Sequence, residues 1–295
     1  MPIVTAWANR LGNRSSNQDR CLVLPRSNGV LLAVADGMGG HARGDLAAQA
    51  AVDSLRRSYL SCPGRIADPR GFLAQAFNHA HLAVVDAGLA HEPPLTPRTT
   101  CVACLVQDNH AWWAHLGDSR LYLVRNGAVH CRTRDHTPVE DMLQNGLLSD
   151  DALRTHPMRN TVSRCLGGEP ALPKTSFGDA LLEHADTLLL CSDGLWSALD
   201  EQRLCELPAE GETLEARINQ LTDEADVATY PHSDNISLAG LRWLMEQPET
   251  QPDAPAEDAA APSRDTSPEE PRDPLQQAIE DIQRAMLDYA DEMKK

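Results

Sequence analysis

Five aspartates occupy the same kind of position in this sequence. Asp19 lies in RSSNQD just before the apolar CLVL, Asp36 follows VLLAVA, and Asp118 follows AWWAHLG within GDSR. Asp193 follows TLLLC within SDGLW, and Asp234 precedes NISLAGL. Each marks the end of a strand-like run, usually beside glycine or serine. For any one of them, a turn or helix-cap role is the simpler reading. Five in one setting shift the expectation. Strand ends of a sheet pair can converge on one edge, and carboxylates gathered there repel one another unless a cation relieves them. Oxygen-only ligands suit magnesium or manganese over zinc, and histidine- and cysteine-based metal spacing is absent.

The stretch VADGMGGHARGD adds a glycine-rich turn to one of these acids. The apolar run Val30 to Ala35 stops at Asp36, and Gly37, Gly39, Gly40 and Gly44 follow. With Asp36 as a metal ligand, Gly37 lets its own carbonyl approach the metal, and the other glycines give a tight path into a helix near Asp45. A phosphate-cradling Walker loop would need GK followed by Ser or Thr, which is missing. GMGGHARG does not supply the dinucleotide fingerprint GxGxxG either.

Elements that could position these acids follow from periodicity. Strands are expected at 3–7, 21–24, 30–35, 100–106, 111–116, 120–125, 128–132, 187–191 and 235–242. LYLVRNGAVHCR reads as a hairpin turning on Asn126-Gly127. Two helices are expected between residues 44 and 90, one burying Ala48, Ala51, Val52, Leu55 and Tyr59, the other Phe72, Ala76, His79, Ala80 and Ala83. Hairpins on both sides of a helical block imply an α+β fold with antiparallel sheets. Cys101 and Cys104 form a CxxC, but they sit in an apolar strand-like run, which favours buried free thiols over zinc or redox chemistry.

The chain of 295 residues carries a formal charge of −17, which argues against non-specific binding to nucleic acid or anionic membrane. The N-terminus shows no secretory pattern, and no apolar run approaches a membrane span. Eight cysteines without a secretion signal fit a reducing cytoplasm. From Met245 onward there are 14 acids and 5 bases, so this tail holds more than half the net charge. Residues 245–274, rich in proline and acids, read as a disordered linker after a domain spanning 1–244. Within 275–295 an amphipathic helix is expected, with Leu275, Ile279, Ile282, Met286, Tyr289 and Met293 on one stripe. A lone helix of that length is marginal in water, so the stripe is expected to dock, with a partner protein favoured.

Taken together, RSSNQD, VADGMGGHARGD, RTTCVACLV, HLGDSRLYLVRNG, the segment from Arg134 to Gly168, LLLCSDGLW and SDNISL resemble the metal-dependent type 2C protein phosphatases (the PPM family) in their bacterial form. Individually DG or GDSR is weak; in this order, over residues 3 to about 242, they are specific. The departures are mild. Arg98 stands where glycine is common before Thr-Thr, and Asp45 where glutamate is common.

The resemblance implies a four-layer αββα sandwich, two antiparallel sheets flanked by helices, with the metals in a cleft at one edge. It implies Mn²⁺ or Mg²⁺, two catalytic ions and a weaker third. Asp36 would bridge the two catalytic ions, with the Gly37 carbonyl on one of them. Asp193 and Asp234 would complete the first ion's ligands, Asp19 would support the second, and Asp118 with Asp193 would hold the third. Arg14 matches the arginine that grips the substrate phosphate. A hydroxide bridging the two ions would attack phosphoserine or phosphothreonine in a protein, in opposition to a bacterial Ser/Thr kinase. Eukaryotic members place histidine directly after the DG pair, where this chain has Met38. His41 is the nearest general acid; it reads equally as a residue packing at the helix start. The segment from Arg134 to Gly168 matches the family's flap, whose charges either read substrate or form a solvated face. Two other functions stay open: a silent scaffold of the same fold, and a phosphohydrolase of small molecules.

Overall fold

The computed structural model describes residues 3–38, 43–149, 152, 156–158, 161–206 and 211–244. His41, the linker 245–274 and the helix expected at 275–295 lie outside the described residues. The strands are β1 Ile3–Arg10, β2 Asp19–Arg26, β3 Gly29–Asp36, β4 Arg98–Thr99, β5 Cys101–Gln107 and β6 His110–Leu116. They continue with β7 Arg120–Arg125, β8 Ala128–Arg132, β9 Leu166–Gly167, β10 Ser176–Leu181, β11 Thr187–Cys191 and β12 Ile236–Trp243. The helices are α1 Gly44–Leu60, α2 Pro69–Leu89, α3 Pro138–Gln144, α4 Asp193–Trp196, α5 Glu201–Cys205 and α6 Leu214–Thr229.

Two five-stranded antiparallel sheets result, in the orders β1-β12-β11-β7-β8 and β10-β6-β5-β3-β2. Their central strands are apolar without interruption because both faces are buried. In β3, Val30, Leu32 and Val34 enter the core between the sheets, while Leu31, Ala33 and Ala35 face the core beneath α1 and α2. In β5 the same alternation sends Cys104 to the inter-sheet core and Cys101 to the helix side. On the far side, Leu189, Cys191, Ile236 and Leu238 pack with Ile218 and Leu221 of α6. Three stacked cores thus define four layers, the αββα sandwich.

The local signals act as expected in most places. Asn126 and Gly127 both take positive φ, 51° and 74°, which is the turn geometry that joins β7 to β8. Asp68 caps α2 by accepting from the Gly71 N–H at 2.9 Å, and Pro69 opens the helix. The face buried by α1 is the expected one. The face of α2 is rotated: Leu73, Ala76, Phe77, Ala80, His81 and Val84 are buried, whereas His79 is exposed and Phe72 half-buried. Phe72 meets Tyr59 of α1 edge-on at the margin of the core beneath α1 and α2, with ring centroids 6.2 Å apart. Strand β10 and helix α6 were not among the expected elements. Gly178 and Asp179 break the apolar pattern of β10, which nonetheless pairs with β6 along the edge of its sheet.

Candidate metal and phosphate site

Antiparallel pairing brings the acids to one end of the sandwich. Asp19 opens β2 and Asp36 closes β3, and the two are paired directly in the ladder. Asp118 sits in the turn between β6 and β7, Asp193 opens α4 just beyond β11, and Asp234 lies two residues before β12. A cleft of about 460 Å³ is lined by Asp36, Gly37, Asp118, Asp193, Asp234 and Arg14, together with Gln18, Met38, Thr100 and Val162. Asp19 is not on its wall. It lies beside Asp36 in the ladder, 1% exposed, and accepts a 2.7 Å hydrogen bond from the Ser192 hydroxyl.

Burial and mutual repulsion leave Asp19, Asp36, Asp118 and Asp193 poor at holding charge unaided. Burial pushes Asp36 well above the usual carboxylate range, and Asp19, Asp193, Asp118 and Asp234 push it further. Asp118 is raised for the same reasons, with Asp193 the largest of its charged neighbours. Asp19 is raised to about 7, burial outweighing its bond from Ser192. Asp193 is raised to about 6 by burial and Asp234, partly offset by a hydrogen bond with Asp36 and by Arg14. Arg14 pairs with Asp234 at 2.7 Å at the exposed mouth of the cleft. Among the described residues no three acidic, histidine or cysteine side chains close on a common point as a finished metal shell. The donor set still fits hard divalent cations: four carboxylates and a backbone carbonyl around one cleft, all oxygen, with Asp36, Asp118 and Asp193 driven towards protonation for want of positive charge.

The Asp36 turn is held by backbone packing. A Cβ on Gly37 would stand 2.2 Å from the Gly44 carbonyl oxygen, and one on Gly44 would stand 2.6 Å from the Gly37 carbonyl carbon. The turn and the start of α1 therefore touch through two side-chain-free residues, a steric requirement distinct from access to a metal. The Gly37 N–H donates to the Gln18 carbonyl at 3.2 Å. The Thr99 hydroxyl and the Thr100 N–H both donate to the Asp36 carbonyl, at 2.8 and 2.9 Å. Across the cleft, the Asn235 amide donates to the Leu11 and Ser16 carbonyls at 2.8 and 3.1 Å, and its oxygen accepts from the Gln18 N–H at 2.8 Å. Asn235 thereby pins the loop that carries Arg14.

The family model for protein phosphatase 2C matches residues 8–229. The chain belongs to the protein phosphatase 2C family. It is 30% identical over 241 residues to the serine/threonine phosphatase stp of Listeria monocytogenes, covering 81% of this chain and 93% of that one. Among solved structures, the S. agalactiae serine/threonine phosphatase aligns with a TM-score of 0.75 at 25% identity, covering 83% of this chain and all of that one. The catalytic domain of serine threonine protein phosphatase PstP, solved with 2 manganese ions, aligns with a TM-score of 0.67 at 28% identity, covering 82% of this chain and 99% of that one.

Within this phosphatase 2C frame several supporting residues escaped the sequence reading. Asn235 lies beside Asp234 in SDNISL and Thr99-Thr100 in RTTCVACLV, but neither residue type marks a ligand by itself. Trp196, in DGLW, donates its indole N–H to the Asp118 carbonyl at 2.9 Å. Arg120 lies 3.7 Å over the Trp196 ring and makes two hydrogen bonds to Asp135, at 2.9 and 2.7 Å. In the flap segment, Glu140 is not a solvated charge: it is 4% exposed and accepts from Gln144 at 3.1 Å. Burial follows from the Thr137 cap, which sets the first turn of α3 against the domain. Asp141 lies in the same first turn of α3, and the Arg164 guanidinium donates to the Lys174 carbonyl at 3.4 Å. The flap charges Asp150, Asp151, Arg154 and Arg159 lie outside the described residues.

Proposed function

We propose that this chain hydrolyses phosphoserine and phosphothreonine in proteins with Mn²⁺ or Mg²⁺, in the cytoplasm and in opposition to a Ser/Thr kinase. The observation that carries the reading is the meeting of Asp36, Asp118, Asp193 and Asp234 with Arg14 around one cleft. The names of its relatives agree, and PstP binds two manganese ions on the same fold. Among the described residues no helix is long and apolar enough to cross a membrane. Half of the eight cysteines are buried and none is paired, which suits a reducing compartment.

Asp36, Asp193, Asp234 and the Gly37 carbonyl are the groups that would hold the two catalytic ions, with Asp118 serving a third and the buried Asp19 supporting the second. When bound, such ions supply an acidified water as nucleophile and offset phosphoryl charge. The chain's own contribution is orientation. Asp36 is locked by Thr99 and Thr100, so its carboxylate points from a fixed backbone. Arg14, exposed at the mouth and tethered by Asp234, offers its planar fork to the phosphate. His41 is retained as the proposed proton donor to the leaving alkoxide. The tail, with its stripe from Leu275 to Met293, is proposed to recruit a partner protein.

The test is turnover of a phosphothreonine peptide. Activity should require Mn²⁺ or Mg²⁺ and disappear with excess chelator, and Asp193→Asn should abolish it in a folded protein. Arg14→Lys should raise KM roughly tenfold, since it keeps charge but loses the second hydrogen bond. Undiminished activity in chelator would overturn the reading; faster turnover of sugar phosphates than of peptides would redirect it to small molecules.

A further inference from the structure

His136 lies in the β8–α3 connection, 8% exposed, outside every group assigned to the chemistry above. Its bonds are unusual in number and direction. The backbone N–H of His136 donates to the Gly117 carbonyl at 2.9 Å, and the Gly117 N–H donates back to the ring Nδ1 at 3.2 Å. The other ring nitrogen, Nε2, faces the Ser176 hydroxyl of β10 at 2.9 Å. The His136 carbonyl accepts twice from Ser163, from its N–H at 2.8 Å and its hydroxyl at 2.9 Å. One residue thus joins the turn that presents Asp118, the returning end of the flap beside Val162 of the cleft wall, and an edge strand.

The ring state is set by these partners. An Nδ1 that accepts from a backbone N–H carries no proton, so the proton is on Nε2 and points to Ser176. The His115 ring stacks on His136 at 4.6 Å with 12° between planes. His115 Nε2 faces the Arg134 carbonyl at 2.8 Å, which only accepts, so that nitrogen carries the proton of its ring. Two neutral imidazoles in contact form a flat, uncharged wall under the Asp118 turn. On the turn's other side, Gly117 has φ 102° and leaves no space for a Cβ, which would lie 2.6 Å from Thr100. Gly117 is therefore clamped between Thr100 and His136.

We propose that His136 is a positioning residue: as a neutral Nε2–H imidazole it sets the Asp118 turn and the flap's return in one register. The role rests on the functional reading above, in which Asp118 serves a weaker metal. His136→Leu fills the site but offers no acceptor, leaving the Gly117 N–H without a partner. The Asp118-dependent metal response should then weaken by roughly 10- to 100-fold, the range for groups that orient a ligand from behind. His136→Asn keeps an acceptor near the Nδ1 position and should restore most of it.

The experiment uses the full chain and Mn²⁺. In His136→Leu, the Mn²⁺ concentration for half-maximal turnover of a phosphothreonine peptide should rise, calorimetric binding at the tight sites should hold, and amide exchange at Gly117 should accelerate. His136→Asn should return Mn²⁺ response and exchange towards the parent. Exchange and Mn²⁺ response in His136→Leu equal to the parent's would overturn the proposal. If the parent shows no phosphatase activity, the functional reading fails, while exchange at Gly117 still decides the tie. Should His136→Leu not fold, Ser176→Ala, which deletes the group facing Nε2, must accelerate exchange at Gly117 or the proposal is wrong.

Discussion

The turns carrying Asp36 and Asp118 hold the same electrostatic position on different mechanical supports. Both acids are raised well above the carboxylate range by burial and by each other's neighbours. The Asp36 turn leans on permanent structure: the Thr99-Thr100 pair, the ladder partner Asp19, and the first residue of α1. The Asp118 turn leans on side chains brought from elsewhere: Thr100 against Gly117 and Ser119, the indole of a four-residue helix, and the histidine at the base of the flap. The two acids therefore share an electrostatic position while one is held mainly by backbone packing and the other mainly by side chains, so side-chain substitutions should disturb Asp118 before Asp36.

Four measurements bear on that contrast, the largest effect first. Asp36→Asn should reduce phosphopeptide turnover to background while the circular dichroism of the fold persists. Loss of fold along with activity would make Asp36 a structural acid. Asp118→Ala should cost roughly 10- to 100-fold in turnover and leave tight Mn²⁺ binding intact by calorimetry. Loss of tight binding would place both turns in one site and erase the distinction.

The third measurement is thermal stability against pH in chelator. Asp19 and Asp193, raised to about 7 and about 6, release their protons more readily in the unfolded chain, near the ordinary aspartate value of 3.8. The folded state therefore binds more protons between these values, and the metal-free protein should lose Tm as pH rises from about 4 to about 7. Saturating Mn²⁺ should flatten that slope; a Tm rising over the same range would reverse the sign and remove the premise. Smallest is Trp196→Phe, which deletes one hydrogen bond to the Asp118 carbonyl and should slow turnover by about tenfold at most, from the ~0.5–1.5 kcal/mol of such a bond. The same change should not alter tight metal binding.

The sequence showed where acids end strands, because apolar runs and their punctuation are local. It showed the β7–β8 turn for the same reason, Asn126-Gly127 being sufficient by themselves. The rotation of α2 was not legible, since the residues it packs against, Tyr59 of α1 among them, come from distant parts of the chain. Nor was the depth of Asp19, which depends on a hydroxyl 173 residues away in Ser192. His136 reads as an ordinary loop histidine until β10 and the β6–β7 turn are folded around it. Residues that do chemistry announce themselves by type and setting; residues that hold them depend on distant partners and carry no local mark.

The alternation of β5 has a bearing on how the protein withstands oxidants. Cys101 and Cys104 form a CxxC, yet an odd spacing on a strand sends them to opposite faces, into separate cores. No rotation of their side chains brings the sulfurs together through the sheet, so this pair cannot close a disulfide or share a zinc ion. Both thiols are fully buried, and burial pushes Cys101 up to about 12 and Cys104 higher, so the reactive thiolate is scarce. A motif that in other settings reports the redox state of a cell is here a pair of small apolar fillers, indifferent to peroxide and to glutathione alike.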